Sequence, residues 1–105
     1  MPLTRSFKDT VKARAERDAA FREALLSEGV DAMLAGDIDT GKAVLRDYIN
    51  ATIGFEKLAE ETGTPAKSLM RMLGPRGNPN ARNLFSMLHR LQSASGISLR
   101  VRPSR

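Results

Sequence analysis

The sequence predicts an all-α protein with one short β-strand near its carboxyl end, and three observations support that fold class. Apolar residues recur every three or four positions through most of the 105 residues, which is the spacing of amphipathic helices. These runs start beside Thr, Asp or Asn or stop at Gly, the residue types that cap helices. Only residues 97–103, "ISLRVRP", alternate apolar and polar residues as a strand does.

Two helices are predicted ahead of Gly36. The first starts at the cap Thr4 and runs to about Arg17, with Phe7 on its apolar stripe. The second starts after the cap Asp18 and stops at Gly36. Its apolar stripe consists of Phe21, Leu25, Ala32 and Met33.

Two more amphipathic helices are predicted further along the chain. One starts at a cap that is either Asp37 or Asp39 and stops at Gly54. The other is the last helix, which starts after the cap Asn80 and follows the loop "PRGNPN". Their buried stripes consist of Val44, Leu45, Tyr48 and Ile49 in the first case, and of Leu84, Phe85, Leu88 and Leu91 in the second.

Between these helices, residues 55–72 show the spacing of a helix-turn-helix. Such a pair needs a small residue where the helices cross, and Ala59 supplies it. Four positions later the turn needs a residue that tolerates a positive φ, and Gly63 supplies it. Leu69 and Met72 are spaced to hold the second helix on the core. Its exposed face, which would enter a major groove, consists of Ala66, Lys67, Met70 and Arg71.

Charge is divided unevenly along the chain. Residues 1–61 carry nine Lys and Arg against twelve Asp and Glu, whereas residues 62–105 carry eight Lys and Arg and no acid. A one-signed segment favours a polyanionic partner, because phosphate contacts by Lys and Arg release condensed counterions. The alternative is a basic surface that contacts only solvent.

Composition limits the class of protein. A chain of 105 residues suits one domain, which we divide into a helical region (1–39), a helix-turn-helix region (40–95) and a strand with a basic tail (96–105). Cysteine is absent, which excludes disulfides and thiolate metal sites and is typical of a reducing cytoplasm. The first 18 residues lack the apolar segment of a signal peptide, and no apolar run has the length of a membrane span. We therefore expect a cytoplasmic protein without membrane contact.

Enzymatic chemistry has little support in the sequence. The lone histidine, His89, has no nucleophile or ligand cluster spaced to work with it. Adjacent Glu60 and Glu61 would point about 100° apart on a helix and cannot share a site. Neither a glycine-rich phosphate loop nor a metal-ligand spacing occurs. We therefore expect no enzymatic activity, no cofactor and no metal.

Residues 40–91 resemble the lambda-repressor-like (Xre-type) helix-turn-helix domain, in which a "GxNPN" loop typically precedes the last helix. More closely, "GKAVLRDYINATIGFEKLAEETGTPAKSLMRMLGPRGNPNARNLF" is similar to the family of addiction-module antidotes, the antitoxins of small toxin–antitoxin operons. The similarity continues upstream through "FKDTVKARAERDAAFREALL" and so covers most of the chain. It implies a lambda-repressor-like bundle that binds its operator as a dimer and neutralises a small, basic partner toxin.

The resemblance also implies a set of DNA-contacting residues. In many relatives a polar residue at the position of Phe55 contacts phosphate, which phenylalanine cannot do, and this favours a structural role for Phe55. The predicted DNA-binding residues are Thr64, Ala66, Lys67, Ser68, Met70, Arg71, Arg76, Asn78, Asn80 and Arg82. Two alternatives stay open: Asn80 acts only as a helix cap, and Met70 belongs to the core.

The predicted function is therefore that of a type II antitoxin that represses its own operon as a dimer and neutralises a toxin. The alternatives are a stand-alone helix-turn-helix regulator and a small RNA- or ribosome-associated basic protein. The acidic amino-terminal half is either plain scaffold or a surface for a basic toxin. Because a lone strand cannot satisfy its own backbone groups, the strand at 97–102 is expected to pair with a second copy or with the toxin.

Overall fold

The computed structural model describes the backbone of residues 5–105 and the side chains of residues 9–105. This described part is all-helical, which confirms the predicted all-α class. Its helices are α1 (Arg5–Arg17), α2 (Ala19–Leu34), α3 (Ile38–Ala51), α4 (Phe55–Thr62), α5 (Ala66–Met72) and α6 (Ala81–Ser95). None of the helices in the described part is both long enough and apolar enough to cross a bilayer. The predicted cap Thr4 and the side chain of Phe7 lie outside the described residues.

Three helices begin at capping residues that the sequence predicts. Side-chain oxygens of Asp18, Asp37 and Asn80 each accept a hydrogen bond from the backbone N–H three residues later, over 3.1, 3.3 and 2.8 Å. The cap of α3 is therefore Asp37. Asp39 lies in the first turn of that helix, where its negative charge suits the positive end of the helix dipole.

Glycines in the left-handed conformation end two helices. Gly63 follows α4 with φ 75° and Gly96 follows α6 with φ 70°. α3 ends at Ala51, three residues before the predicted stop at Gly54, since Thr52 leaves helical geometry at φ −122° and ψ −100°. Gly54 then turns the chain with φ 83° and leads directly into α4.

One apolar core joins the helices from α2 to α6. The hydroxyl groups of Tyr48 on α3 and Ser95 on α6 share a hydrogen bond, which joins the middle of the chain to the end of the last helix. The large side chains with almost no exposed surface are Leu26, Leu45, Tyr48, Ile49, Leu58, Leu69, Leu73, Met87 and Leu91. Every helix from α2 to α6 contributes to this set, so the positions of the later helices depend on α2 and α3.

Phe85, predicted on the buried stripe of the last helix, is 65% exposed, and that prediction is wrong. The side of α6 that packs on the core carries Leu84, Met87, Leu88 and Leu91. At about 100° per residue these four side chains form one arc around Leu91, and Phe85 lies about 120° away from Leu91. Met87, which the predicted stripe omits, is 1% exposed and supplies the core contact instead.

The predicted carboxy-terminal strand is also wrong, because residues 97–105 form no strand in the described chain. The backbone N–H of Ile97 donates to the carbonyl of Gln92 over 3.1 Å, and that of Leu99 donates to the Gln92 side-chain oxygen over 2.8 Å. Ile97 and Leu99 also pack against the core, while Val101 is 77% exposed. Gln92 thus satisfies backbone groups for which the alternating pattern predicts a partner strand.

The cap of α2 generates a pH-dependent prediction. The hydrogen bond from the Phe21 N–H, together with the charge of Arg14, lowers the pKa of Asp18 below its ordinary value of 3.8. Because the folded pKa is lowered, this stabilisation is present above the unfolded pKa and is lost as pH falls through the folded pKa. Asp18→Ala should lower the thermal midpoint at pH 7, and the difference from the wild type should narrow below pH 3.8.

Asp18→Asn is the matched control for charge, because an amide keeps an acceptor oxygen for the cap. It should lower the midpoint less than the Ala substitution does at pH 7. At low pH the wild-type chain should approach the Asn variant, since both then have an uncharged cap. Circular dichroism melts from pH 7 to pH 2 check this, and a difference that does not change with pH would contradict the role of the carboxylate charge.

The loop after α5 generates a stability prediction. A Cβ at Gly77 would overlap the backbone carbonyl oxygens of Arg71 and Met72, whereas a Cβ at Gly74 would lie 3.4 Å from its nearest neighbours. Displacing backbone atoms to relieve this overlap costs conformational energy. Gly77→Ala should therefore lower the free energy of unfolding by about 3 kcal/mol. Gly74→Ala, the control, should change it by less than about 1 kcal/mol. Urea denaturation measures both, and equal losses would refute the close approach of Gly77 to α5.

Candidate nucleic-acid interface

α4 and α5 are two short helices joined by the turn 63–65. Leu58 of α4 and Leu69 of α5 lie in the common core, at 0% and 2% exposure, and Ala59 packs partly buried against it. Gly63 adopts the left-handed conformation that the sequence predicts for the turn. A helix of seven residues is not stable alone, so α5 depends on its buried side for its position.

The other side of α5 faces solvent. Lys67, Met70 and Arg71 are exposed, and Met70 retains 42% of its accessible surface. Their spacing of three and four residues places them on one face of the helix, and Met70 is therefore a surface residue. Two long cationic donors beside one apolar side chain can reach base edges, phosphates and the thymine methyl group in a DNA groove.

Three other predicted contact residues near α5 are less accessible. Ala66 packs partly buried against the core, so the prediction that it belongs to the exposed face is wrong. It precedes Leu69 by three residues and therefore shares the buried side of the helix. Thr64 and Ser68 are half-buried, and the Thr64 N–H donates to the Thr62 hydroxyl over 3.3 Å.

The loop and the start of α6 carry the remaining predicted contacts. Arg76, Asn78, Asn80 and Arg82 are all exposed. Asn80 is the cap of α6, and its side-chain oxygen is occupied by the N–H of Asn83 over 2.8 Å. The amide nitrogens of Asn78 and Asn80 and the two guanidinium groups are side-chain donors that this segment offers to an anion.

The exposed bases from Lys67 onward have no acidic neighbours in sequence. The described side chains form two ion pairs, Arg14 with Asp18 and Lys42 with Asp39. Neither pair includes a residue after position 62, where the chain carries eight bases and no acid. The cationic charge of α5, its loop and α6 is therefore not neutralised by carboxylates of that segment and is available to a polyanion.

Lys42 on α3 is a functional candidate that the sequence interpretation missed. It is 4% exposed, and its ammonium group donates to the carbonyl oxygens of Gly74 over 3.1 Å and Gly77 over 2.7 Å. An oxygen of Asp39 lies 3.5 Å from the same nitrogen. One turn further along α3, the Arg46 guanidinium donates to the Leu73 carbonyl over 3.0 Å.

A signal for Lys42 was present in the sequence. Lys42 precedes Leu45 by three residues and Ile49 by seven, so helical periodicity places its charge on the buried stripe of α3. A lysine is rarely fully buried unless it is paired, and its position therefore predicts acceptors nearby. The identity of those acceptors was not predictable, since Gly74 and Gly77 lie 32 and 35 residues away along the chain.

α5, its loop and the start of α6 follow one another in the chain and combine exposed cations with a short helix that is packed on the core by its buried side. This arrangement can bind a phosphate backbone and place side chains in a groove. Comparisons of the chain with protein-family models, with curated proteins and with solved structures find no match.

Proposed function

We propose that this protein binds double-stranded DNA through a lambda-repressor-like helix-turn-helix, with α4 as the first helix and α5 as the recognition helix. The main observation in support of the proposal is that α5 has one buried side and one exposed, cationic side. Leu69 is buried at 2% exposure, while Lys67, Met70 and Arg71 share the solvent face. A recognition helix needs this division, because one side must be held rigidly while the other enters the major groove.

The residues fall into two roles in this proposal. Lys67 and Arg71 read base edges, since they are the long donors on the exposed face of α5. Arg76 and Arg82 contact phosphates and fix the register of the protein on the duplex without reading sequence. One short helix reads too few bases for a unique site, so the protein acts as a two-fold dimer on half-sites about 34 Å apart.

The biological role that we propose is that of a cytoplasmic type II antitoxin, which represses its own operon and neutralises a small basic toxin. The similarity of residues 7–26 and 41–85 to addiction-module antidotes supports this role. Charge supports it as well, because residues 23–41 carry five acids and no base. Glu28, Asp31 and Asp37 are exposed among them, and an acidic surface steers a basic partner.

Selection of bound duplexes from a random DNA pool identifies the operator and tests the DNA-binding proposal directly. Arg71→Ala should then weaken binding to the selected operator by about 1–3 kcal/mol and binding to random DNA by less. Arg90→Ala is the control, since it removes the same charge from an exposed position outside the predicted contacts. Equal losses for Arg71→Ala on both kinds of DNA in a binding titration would make Arg71 a phosphate contact only.

Coexpression with the product of the adjacent gene tests the antitoxin role. We expect that product to be a small basic protein that inhibits growth alone and copurifies with this chain. Glu28→Lys with Asp31→Lys should weaken the complex, because it reverses charge on the acidic surface of α2. Glu56→Lys with Glu60→Lys, on exposed positions of α4, is the matched control. A neighbour that is neither toxic nor bound would leave a stand-alone regulator as the function.

A further inference from the structure

The carboxyl end of α5 differs from the ends of α4 and α6. α4 and α6 are followed by left-handed glycines, Gly63 and Gly96, which satisfy the last carbonyl groups of a helix. α5 is followed by Leu73 at φ −94° and ψ 2°, which is not left-handed. The backbone N–H groups of Leu73 and Gly74 donate to the carbonyls of Leu69 and Arg71 over 3.3 and 3.1 Å, and the carbonyls just beyond α5 are bonded from elsewhere in the protein.

α3 supplies donors to the carbonyls just beyond α5 from two basic side chains. Arg46 donates to the carbonyl of Leu73, and Lys42 donates to those of Gly74 and Gly77. Positive charge at this end of a helix also interacts favourably with the helix dipole. The residues that follow the carboxyl end of α5 are thus hydrogen-bonded to α3.

The ammonium group of Lys42 has three oxygen partners, two carbonyls in hydrogen bonds and one carboxylate in an ion pair. An ammonium group has three N–H donors, and the two carbonyls and the Asp39 carboxylate provide three acceptors within 3.5 Å. The side chain is 4% exposed, so it does not face a ligand itself. Its charge acts inside the protein, where a hydrogen bond from a charged donor is stronger than one between neutral groups.

Arg76 is the exposed side chain that this contact positions. It lies between Gly74 and Gly77, whose carbonyls are both bound to Lys42. The Gly77 N–H also donates to the Gly74 carbonyl over 3.0 Å, which closes a tight loop around positions 75 and 76. The backbone on both sides of Arg76 is therefore fixed to α3 through one nitrogen atom.

We propose that Lys42 is a positioning residue for DNA binding: from α3 it fixes the Gly74–Gly77 loop and the end of α5, and so places Arg76 against a DNA phosphate. Arg46 has the same role at Leu73. The role rests on the proposed DNA-binding function, since without DNA the loop has no anion to meet. The proposal thus gives a role in DNA binding to a residue that does not itself contact DNA.

The test compares Lys42→Met, Arg76→Ala and the double variant in titrations with the selected operator at several salt concentrations. Lys42→Met should lower affinity about tenfold and should flatten the slope of log affinity against log salt by about one unit, as Arg76→Ala does. The double variant should bind no more weakly than Lys42→Met, because an unplaced Arg76 contributes nothing further. Lys12→Met, which removes the same charge from an exposed position on α1, should bind as the wild type does.

A purely stabilising role for Lys42 gives a different result. In that case Lys42→Met would lower the melting temperature but keep the salt slope, and Arg76→Ala would have its full effect in the Lys42→Met background. That result would overturn the proposal. If Lys42→Met fails to fold, Arg46→Met takes its place, because it removes the hydrogen bond to Leu73 from a half-exposed position. Arg46→Met, Arg76→Ala and the double variant are then compared in the same titrations. If the affinity loss of the double variant equals the sum of the losses of Arg46→Met and Arg76→Ala, the proposal is overturned as well.

The wild-type titration separates this inference from the proposed function. A wild-type chain that binds no duplex from the random pool would overturn both. A wild-type chain that binds its operator while Lys42→Met behaves as Lys12→Met would overturn the positioning role alone. Lys42→Arg should restore much of the salt slope, because it keeps the charge and at least one donor to the loop.

Discussion

The buried ammonium group of Lys42 is the interaction on which the arrangement of α3, α5 and the following loop depends. A buried charge is costly unless acceptors surround it, and here the acceptors are backbone carbonyls of Gly74 and Gly77 with the Asp39 carboxylate. Moving the loop away would leave the ammonium group with the exposed Asp39 carboxylate in place of two carbonyls, and moving α3 away would remove the Lys42 donor from the Gly77 carbonyl. The two segments therefore hold each other in one relative position.

This mutual dependence explains how a seven-residue helix can have a defined position at the surface. α5 is too short to be stable by itself, and it contributes one fully buried side chain, Leu69, to the core. Leu73, just beyond it, is 1% exposed, and the contacts with Lys42 and Arg46 follow directly. Burial on one side and hydrogen bonds just beyond one end leave the other side of α5 exposed to solvent, as the proposed recognition helix requires.

Charge separation along the chain gives the molecule two surfaces of opposite character. Residues 23–41, at the α2–α3 hairpin, carry acids only, and residues 62–105 carry bases only. A protein that meets both a polyanion and a basic partner benefits from this division, because each surface repels the wrong partner. Lys42 and Arg46, two bases of α3 that follow the acidic range, bond to backbone carbonyls in the basic part of the chain.

The sequence by itself determined the features that obey local rules: the caps Asp18 and Asn80, a cap of α3 at Asp37 or Asp39, the glycine turn at Gly63, and the burial of Leu58 and Leu69. These depend on residues three or four positions apart, so periodicity and capping preferences are enough to predict them. Only the tertiary structure decided which contacts form between groups that are not neighbours on one helix. Gln92 accepts the backbone of the tail and so prevents the predicted strand, Met87 rather than Phe85 faces the core, and Lys42 bonds to carbonyls 32 and 35 residues away. No local pattern encodes such contacts, because they depend on which segments the packed core brings together.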